Sequence, residues 1–542
     1  MTSTTLLSGG SLFDGERHRG PGEVLLRDGR IAAVATGGER LEAPPGTRRV
    51  DLGGGLLLPG FTDAHVHAVQ GGLERIRCDL SGGETREDYL ALVATYAAGH
   101  DGPWILGGGW AMAAFPGGTP TAADLDAVVP DRPVLLPNRD HHGAWVNSRA
   151  LELAGITRET PDPPDGRIER DATGAPTGTL HEGAMDLVAR LLPPTSPAEL
   201  DRALAAGQAH LHSLGVTGWQ DAIVGAYAGM EDPGPAYVRA AASGTLRSHV
   251  VGALWWDRDR GLEQVADLVA RRAEYTHGRF RATSTKVMQD GVAENGTAAL
   301  GSPYLDRCGH PTDNAGHSFV DPHVLREAVR RLAAEGFQVH VHGIGDRGVR
   351  EALDAFEGLD DAGRALRHHV AHLQLVDPRD VPRFAALGVA ANIQALWACH
   401  DEQMTELTLP FLGPERARWQ YPFGDLHRTG ARLVAGSDWP VSSADPLQAV
   451  HVAVNRTEHG ADGPAGHEPF LPEQSLAVET ALAAYTSGSA WVNGRDDAGR
   501  IGPGAVADLV LLDRDVVTGD PGEIGAARAV ATWIAGGLVH ES

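Results

Sequence analysis

Cysteine is scarce in this chain: Cys78, Cys308 and Cys399 are the only three in 542 residues. An odd number, widely spaced and without a CxxC pair, excludes a disulfide framework and points to a reducing cytoplasm. Basic residues are also in deficit. Forty-six Lys and Arg face 71 Asp and Glu, a formal charge of −25. That balance excludes the basic surface that nucleic acid requires, and the acidic excess reads as solvated surface. No apolar run approaches the ~18 residues of a spanning helix. The start, Met1 to Gly10, lacks the basic and apolar segments of a secretory leader. The expectation is a soluble, cytoplasmic protein with a small-molecule substrate, no nucleic-acid or membrane partner, and a homo-oligomer left open.

What the chain does have is order. Both ends carry short strands. Residues 23–34 read as a hairpin turning at Asp28-Gly29, and 507–512 and 529–540 are further strands. None forms a stable sheet alone, so residues 1–58 and 491–542 are read as one small β domain. Between them, from 59 to 490, apolar runs at 60–67, 216–221, 249–254, 283–288, 338–342, 369–373, 389–393 and 432–436 alternate with amphipathic segments such as 262–275, 322–335, 348–356 and 447–456. Eight strands with crossover helices predict an α/β fold, a (β/α)8 TIM-like barrel. A doubly wound open sheet is the structural alternative, but it leaves unexplained why so many polar residues sit at strand ends. The interval from about 71 to 214 is too long for a crossover and reads as an insertion after the first barrel strand.

The chemistry sits at those strand ends. His65-Val66-His67 closes the first run. On a strand, residues two apart share a face, so both imidazoles can reach one point, and neutral imidazole suits zinc and similar metals. Lys286, His342, His372 and Asp438 lie at or past the fourth, fifth, sixth and eighth runs. In a closed barrel all these ends converge on one mouth. A neutral lysine amine can add carbon dioxide to give a carbamate that bridges two cations, and two metals can polarise a carbonyl and acidify a water together. Asp438 then takes the proton of the metal-activated hydroxide and passes it to a leaving nitrogen. The bland readings are a helix cap for Asp438 and an ion pair with Asp290 for Lys286. His340, His368 and His369 are read as packing residues.

Several motifs carry a family resemblance. They include Pro59-Gly-Phe-Thr-Asp-Ala-His-Val-His67, Asp140-His-His-Gly-Ala-Trp-Val-Asn147, Lys286-Val-Met-Gln-Asp-Gly291, His342-Gly-Ile-Gly-Asp346, Gly436-Ser-Asp-Trp-Pro440 and Gly499-Arg-Ile-Gly-Pro-Gly504. On these the chain resembles the amidohydrolase superfamily, and more closely the amidohydrolase-3, YtcJ-like family. The resemblance covers nearly the whole chain. It implies a metal-bearing barrel with ligands His65, His67, Lys286, His342, His372 and Asp438. One or two divalent metals, zinc by preference, are implied, with Lys286 carboxylated where two bind. One departure is Ala371, where the family often has Glu before the sixth-strand histidine. Family members with an assigned activity include N-substituted formamide deformylases. The expected function is hydrolysis of an amide or formamide C–N bond, with Trp110, His142, Asp290 and Trp439 as candidate pocket residues. A deaminase, cyclic-amide hydrolase or decarboxylase on the same barrel is the alternative. A non-catalytic relic is disfavoured because all six ligand positions are kept.

Overall fold

The computed structural model describes residues 4–227, 230–460 and 468–542. Eight parallel strands pair in chain order: Phe61–Val66, Val216–Val224, His249–Trp255, Phe280–Met288, Gln338–Gly343, His369–His372, Ala390–Ile393 and Leu433–Ala435. The expected barrel is the fold. Parallel strands covered on both faces must be buried throughout, and five of the eight are buried at every position.

The crossover helices follow from their own sequences. Pro322–Ala334 starts where Asp321 accepts the backbone N–H groups of His323 and Val324, with Pro322 at the first helical position. Leu325, Ala328, Val329 and Leu332 recur at three- and four-residue steps and, with Ala333, are the residues it buries. Each leucine contributes about 1.5–3 kcal/mol by leaving water. The helix stops before Gly336, whose φ is +78°.

The barrel closes between its first and last strands without a regular ladder. Gly436 comes so near that a Cβ there would lie 2.6 Å from the His65 nitrogen, so only glycine fits. Beyond it, Asp438 N–H donates to His65 O and His67 N–H donates to Trp439 O, both at 2.8 Å. Buried Asp63 fastens the same seam. Its carboxylate accepts His65 N–H at 3.0 Å and Ser437 N–H at 3.1 Å.

Strands from both ends of the chain share a second sheet. Leu509–Leu512 runs antiparallel to Leu56–Pro59, which in turn pairs with the first strand, Thr4–Phe13. The hairpin at Asp28-Gly29 is present, with both residues at positive φ. The insertion holds a third sheet, of six strands, ordered Gly166–Arg170, Pro176–Glu182, Gly143–Val146, Val134–Pro137, Ile105–Gly108 and Cys78–Asp79. Its core is separate and aromatic, built on Tyr89, Trp110, Phe115 and Trp145. Among the described residues no helix is long and apolar enough to cross a membrane.

The seam gives a test of the fold. Asp63→Ala deprives two buried amides of their acceptor, at about 1–3 kcal/mol each. The expected result is a fall in the urea midpoint at unchanged slope, equivalent to about 2–4 kcal/mol. Asp63→Asn, which keeps one acceptor oxygen, loses less.

Candidate metal centre

The strand ends bring His65, His67, Lys286, His342, His372 and Asp438 to the wall of one cavity of about 350 Å³. The pleat explains the grouping. His65 and Asp63 flank Ala64 on the first strand, and His67 follows as the residue before the helix Ala68–Ile76. Lys286 stands beside His340 in the register of the fourth and fifth strands, and Met288 stands beside His342. Lys286 therefore starts one layer deeper than His342, and its four-carbon stem spans the difference. His372 and Asp438 hold left-handed backbone, with φ of +79° and +57°. Such strain in residues other than glycine, at about 1–3 kcal/mol each, is a mark of functional sites.

Asp438 is the hub. Its Oδ1 lies 2.9 Å from His67 Nε2 and 3.1 Å from His65 Nε2, and its Oδ2 lies 3.8 Å from His372 Nδ1. The ring centroids of His65 and His372 are 4.8 Å apart, and those of His342 and His372 are 4.3 Å apart. All of these side chains are buried. Burial opposes charge on Asp438, yet the imidazoles of His65 and His67 hold its carboxyl well below the usual carboxylate range. Burial pushes His65 down to about 3 and holds His342 and His372 well below the histidine range. His65, His342 and His372 are thus neutral and the aspartate is ionised.

That set fits a divalent cation. His65 Nε2, His67 Nδ1 and both ring nitrogens of His372 are buried without a hydrogen-bond partner. Orphaned buried nitrogens are costly in a protein interior. Neutral imidazoles around an ionised carboxylate are the donors that zinc-type metals take.

Lys286 is the single lysine of the chain, every other basic side chain being arginine. It forms no ion pair among the described residues, with Asp290 or any other carboxylate. Burial brings its amine down to about 8, which leaves a neutral, nucleophilic fraction near neutral pH. The uniqueness of this lysine is a signal that the sequence carries by itself.

The candidate pocket residues divide. His142, from the insertion, lines the cavity with its Nδ1 2.9 Å from Glu182 Oε1 and 3.0 Å from Oε2. Burial disfavours its charge, but the Glu182 carboxylate overrides that and raises His142 to about 9. Trp110 is placed elsewhere. Its indole donates to Leu136 O at 2.7 Å inside the insertion core. Asp290 is a brace, not a pocket wall. Its carboxylate, raised to about 7 by burial, accepts the backbone N–H groups of Ile344, Gly345 and Ala299. Trp439 is buried in the barrel core, where its ring abuts Gly71 and lies 4.9 Å from His210. These three residue types serve packing as readily as binding, and only tertiary contacts separate the two.

Sequence reasoning missed Glu182, and it missed the aromatic wall of Trp255, Trp397 and Tyr421. It also took His340 and His369 for packing. The structure puts them in a buried polar network, with His340 Nε2 2.9 Å from His65 Nδ1. The second His-x-His, His340-Val341-His342, was the available signal.

A parallel barrel with histidines and one ionised aspartate converging at its mouth defines a class, the amidohydrolase-type barrel, and the comparisons agree. The model of the "Amidohydrolase family" matches residues 48–540. The chain is 32% identical to "Putative amidohydrolase YtcJ" of Bacillus subtilis over 530 residues, covering 96% of each. It is 28% identical to "N-substituted formamide deformylase" of Arthrobacter pascens, over 96% of this chain and 94% of that protein. Among solved structures, an uncharacterized metal-dependent hydrolase from Pyrococcus furiosus superposes with a TM-score of 0.71 at 26% identity, covering 95% of this chain and all of that one. The chain belongs to the amidohydrolase family.

The His142–Glu182 pair yields a test. Nitrogen-15 NMR of histidine-labelled protein, assigned with His142→Gln, is expected to show His142 titrating near 9. In Glu182→Gln, where only the more distant carboxylates of Asp140 and Glu294 oppose burial, it falls towards the ordinary ~6.5. Because the folded value is raised, the stabilisation is complete below about pH 6.5 and is lost as pH rises through about 9.

Proposed function

We propose that this hydrolase is metal-dependent and cleaves the C–N bond of an amide, most specifically an N-substituted formamide. One observation carries the reading. Asp438 is buried on the cavity wall in contact with His65 and His67 at 3.1 and 2.9 Å, and these imidazoles hold it ionised. His65 and His67 on one side, His342, His372 and Lys286 on the other, and Asp438 at the junction are the residues that would hold one or two zinc ions. Bound there, zinc supplies Lewis acidity at a carbonyl oxygen and lowers the pKa of its water towards neutrality. With two ions, Lys286 serves as a carbamate, formed by attack of the neutral amine on carbon dioxide with loss of one proton.

The protein's own groups handle the protons. Asp438 accepts a proton from the attacking water and delivers it to the departing nitrogen, because an amide anion is a very poor leaving group. His142, charged and clamped through Nδ1 by Glu182, presents its other nitrogen to the carbonyl oxygen. Trp255, Trp397 and Tyr421 offer an apolar wall for the N-substituent. The deformylase relative supports formyl as the acyl group. The three cysteines are free, which suits a reducing cytoplasm.

Two measurements test this. The zinc-supplemented enzyme is expected to release formate and a free amine in equal amounts from N-substituted formamides. Asp438→Asn is expected to fold, keep metal at His342, His372 and Lys286, and lose about 10²–10⁴-fold in kcat/KM. Ammonia or carbon dioxide as the product moves the reaction to the deaminase or decarboxylase alternative. Near wild-type turnover in a fully metallated Asp438→Asn removes the proton shuttle. Separately, carbon-13 NMR of zinc-loaded protein in ¹³C-bicarbonate is expected to show a single carbamate resonance, absent in Lys286→Arg. With one lysine in the chain the assignment is unambiguous, and no resonance in the wild type leaves a centre without a carbamate.

A further inference from the structure

The layer of the barrel interior beneath the metal centre is polar, where most barrels of this type pack branched aliphatic residues. Gln220 of the second strand, Gln338 and His340 of the fifth, His369 of the sixth and Asn392 of the seventh are all buried there. No carboxylate takes part in the hydrogen bonds among them. Which end of each amide donates is fixed by backbone groups that have no choice.

Gln338 Nε2 donates to Arg367 O at 2.8 Å and to Val492 O at 2.7 Å. Two carbonyls can only accept, so the NH2 end of Gln338 must face them and its Oε1 must accept. Gln220 Nε2 supplies that donor at 2.9 Å. Gln220 Oε1 therefore faces the other way, 2.7 Å from His340 Nδ1 and 3.1 Å from His369 Nε2. Both rings must donate to it. A neutral His340 with its proton on Nδ1 has a lone pair on Nε2, and that lone pair meets His65 Nδ1 at 2.9 Å. His65 must then carry its proton on Nδ1, and its Nε2 is a bare lone pair turned to Asp438 and the cavity.

The far end of the network reaches the same answer independently. Gln394 Oε1 accepts His372 N–H at 2.6 Å, so its Nε2 donates to Asn392 Oδ1 at 3.0 Å. Asn392 Nδ2 donates to Ala64 O at 3.0 Å and to His369 Nδ1 at 3.1 Å. His369 is thereby left with its proton on Nε2, as Gln220 requires.

We propose that Gln220 is a positioning residue that sets the tautomer of His65 through His340, so that His65 offers Nε2 as a lone pair to the metal. The proposal rests on the reading of His65 as a metal ligand. A histidine ligand whose other nitrogen is held by a hydrogen-bond partner is oriented and made more basic, and loss of such a partner costs 10- to 100-fold in metal affinity.

The test is competition for zinc between the full-length protein and a chelator, together with the rise in Tm that zinc produces. Gln220→Leu, similar in volume but without an acceptor, is expected to bind zinc about 10- to 100-fold more weakly and to show a smaller rise. Gln220→Glu, as the protonated acid, keeps an oxygen facing both imidazoles and an O–H facing Gln338 Oε1, and is expected to restore most of the affinity. Unchanged zinc affinity in Gln220→Leu, with equal Tm losses for the metal-free and loaded protein, reduces Gln220 to packing and overturns the proposal. His65→Ala separates the two readings. If it weakens zinc binding while Gln220→Leu does not, only the tautomer relay fails. If neither does, the metal reading fails and takes the relay with it. Should Gln220→Leu not fold, neutron diffraction on the wild type decides. Deuterium on His65 Nδ1 and His340 Nδ1 is expected, and deuterium on His340 Nε2 overturns the relay.

Discussion

The approach of the first and last barrel strands is the contact on which the rest of the structure depends. Gly436 admits the His65 backbone at a distance no side chain allows, and the hydrogen bonds from Asp438 to His65 and from His67 to Trp439 lock it. Closing the barrel and building the site are therefore one event. The same backbone segments that complete the cylinder carry the two histidines and the aspartate that cluster most tightly at its mouth. A barrel left open at this seam has neither an edge-free sheet nor a metal centre.

Enclosing so many polar groups has a cost that the fold meets in two ways. Below the mouth, amides and imidazoles satisfy one another, with their ends tied to carbonyls of Arg367, Val492 and Ala64. Fully satisfied networks of this kind specify one arrangement of a core. At the mouth, satisfaction stops. Nitrogens of His65, His67 and His372 lack partners, and His372 and Asp438 hold strained backbone. Local rules broken at a point where the surroundings obey them are the usual mark of a functional site.

The insertion adds what the barrel lacks. Its sheet and aromatic core are its own, and it delivers His142 to the cavity with Glu182 clamping the far side of the ring. The barrel side of the centre is neutral imidazole and one anion. The insertion side is a cation held by its own carboxylate. Positive character in the cavity therefore comes from His142 on the insertion side, and on the barrel side it would come from a bound metal.

Much of this was legible along the chain. Eight apolar runs alternating with amphipathic helices gave the barrel, and every one of them became a strand, because the period of side-chain burial is a local property. Ligand-type residues at the ends of those runs gave the centre, because parallel strands of a closed barrel must converge. The roles of Trp110, Asp290 and Trp439 were not legible. A buried tryptophan or a braced aspartate has the same local sequence whether or not it faces a cavity. Nor was the part played by Gln220, Gln338 and His340, which depends on register across neighbouring strands and on carbonyls from remote loops. By itself the sequence determined which elements form and which side chains can ligate. Only the tertiary structure decided which of those groups lie in one cavity and which partners each of them meets, because hydrogen-bond direction is set by groups that are adjacent in space and distant along the chain.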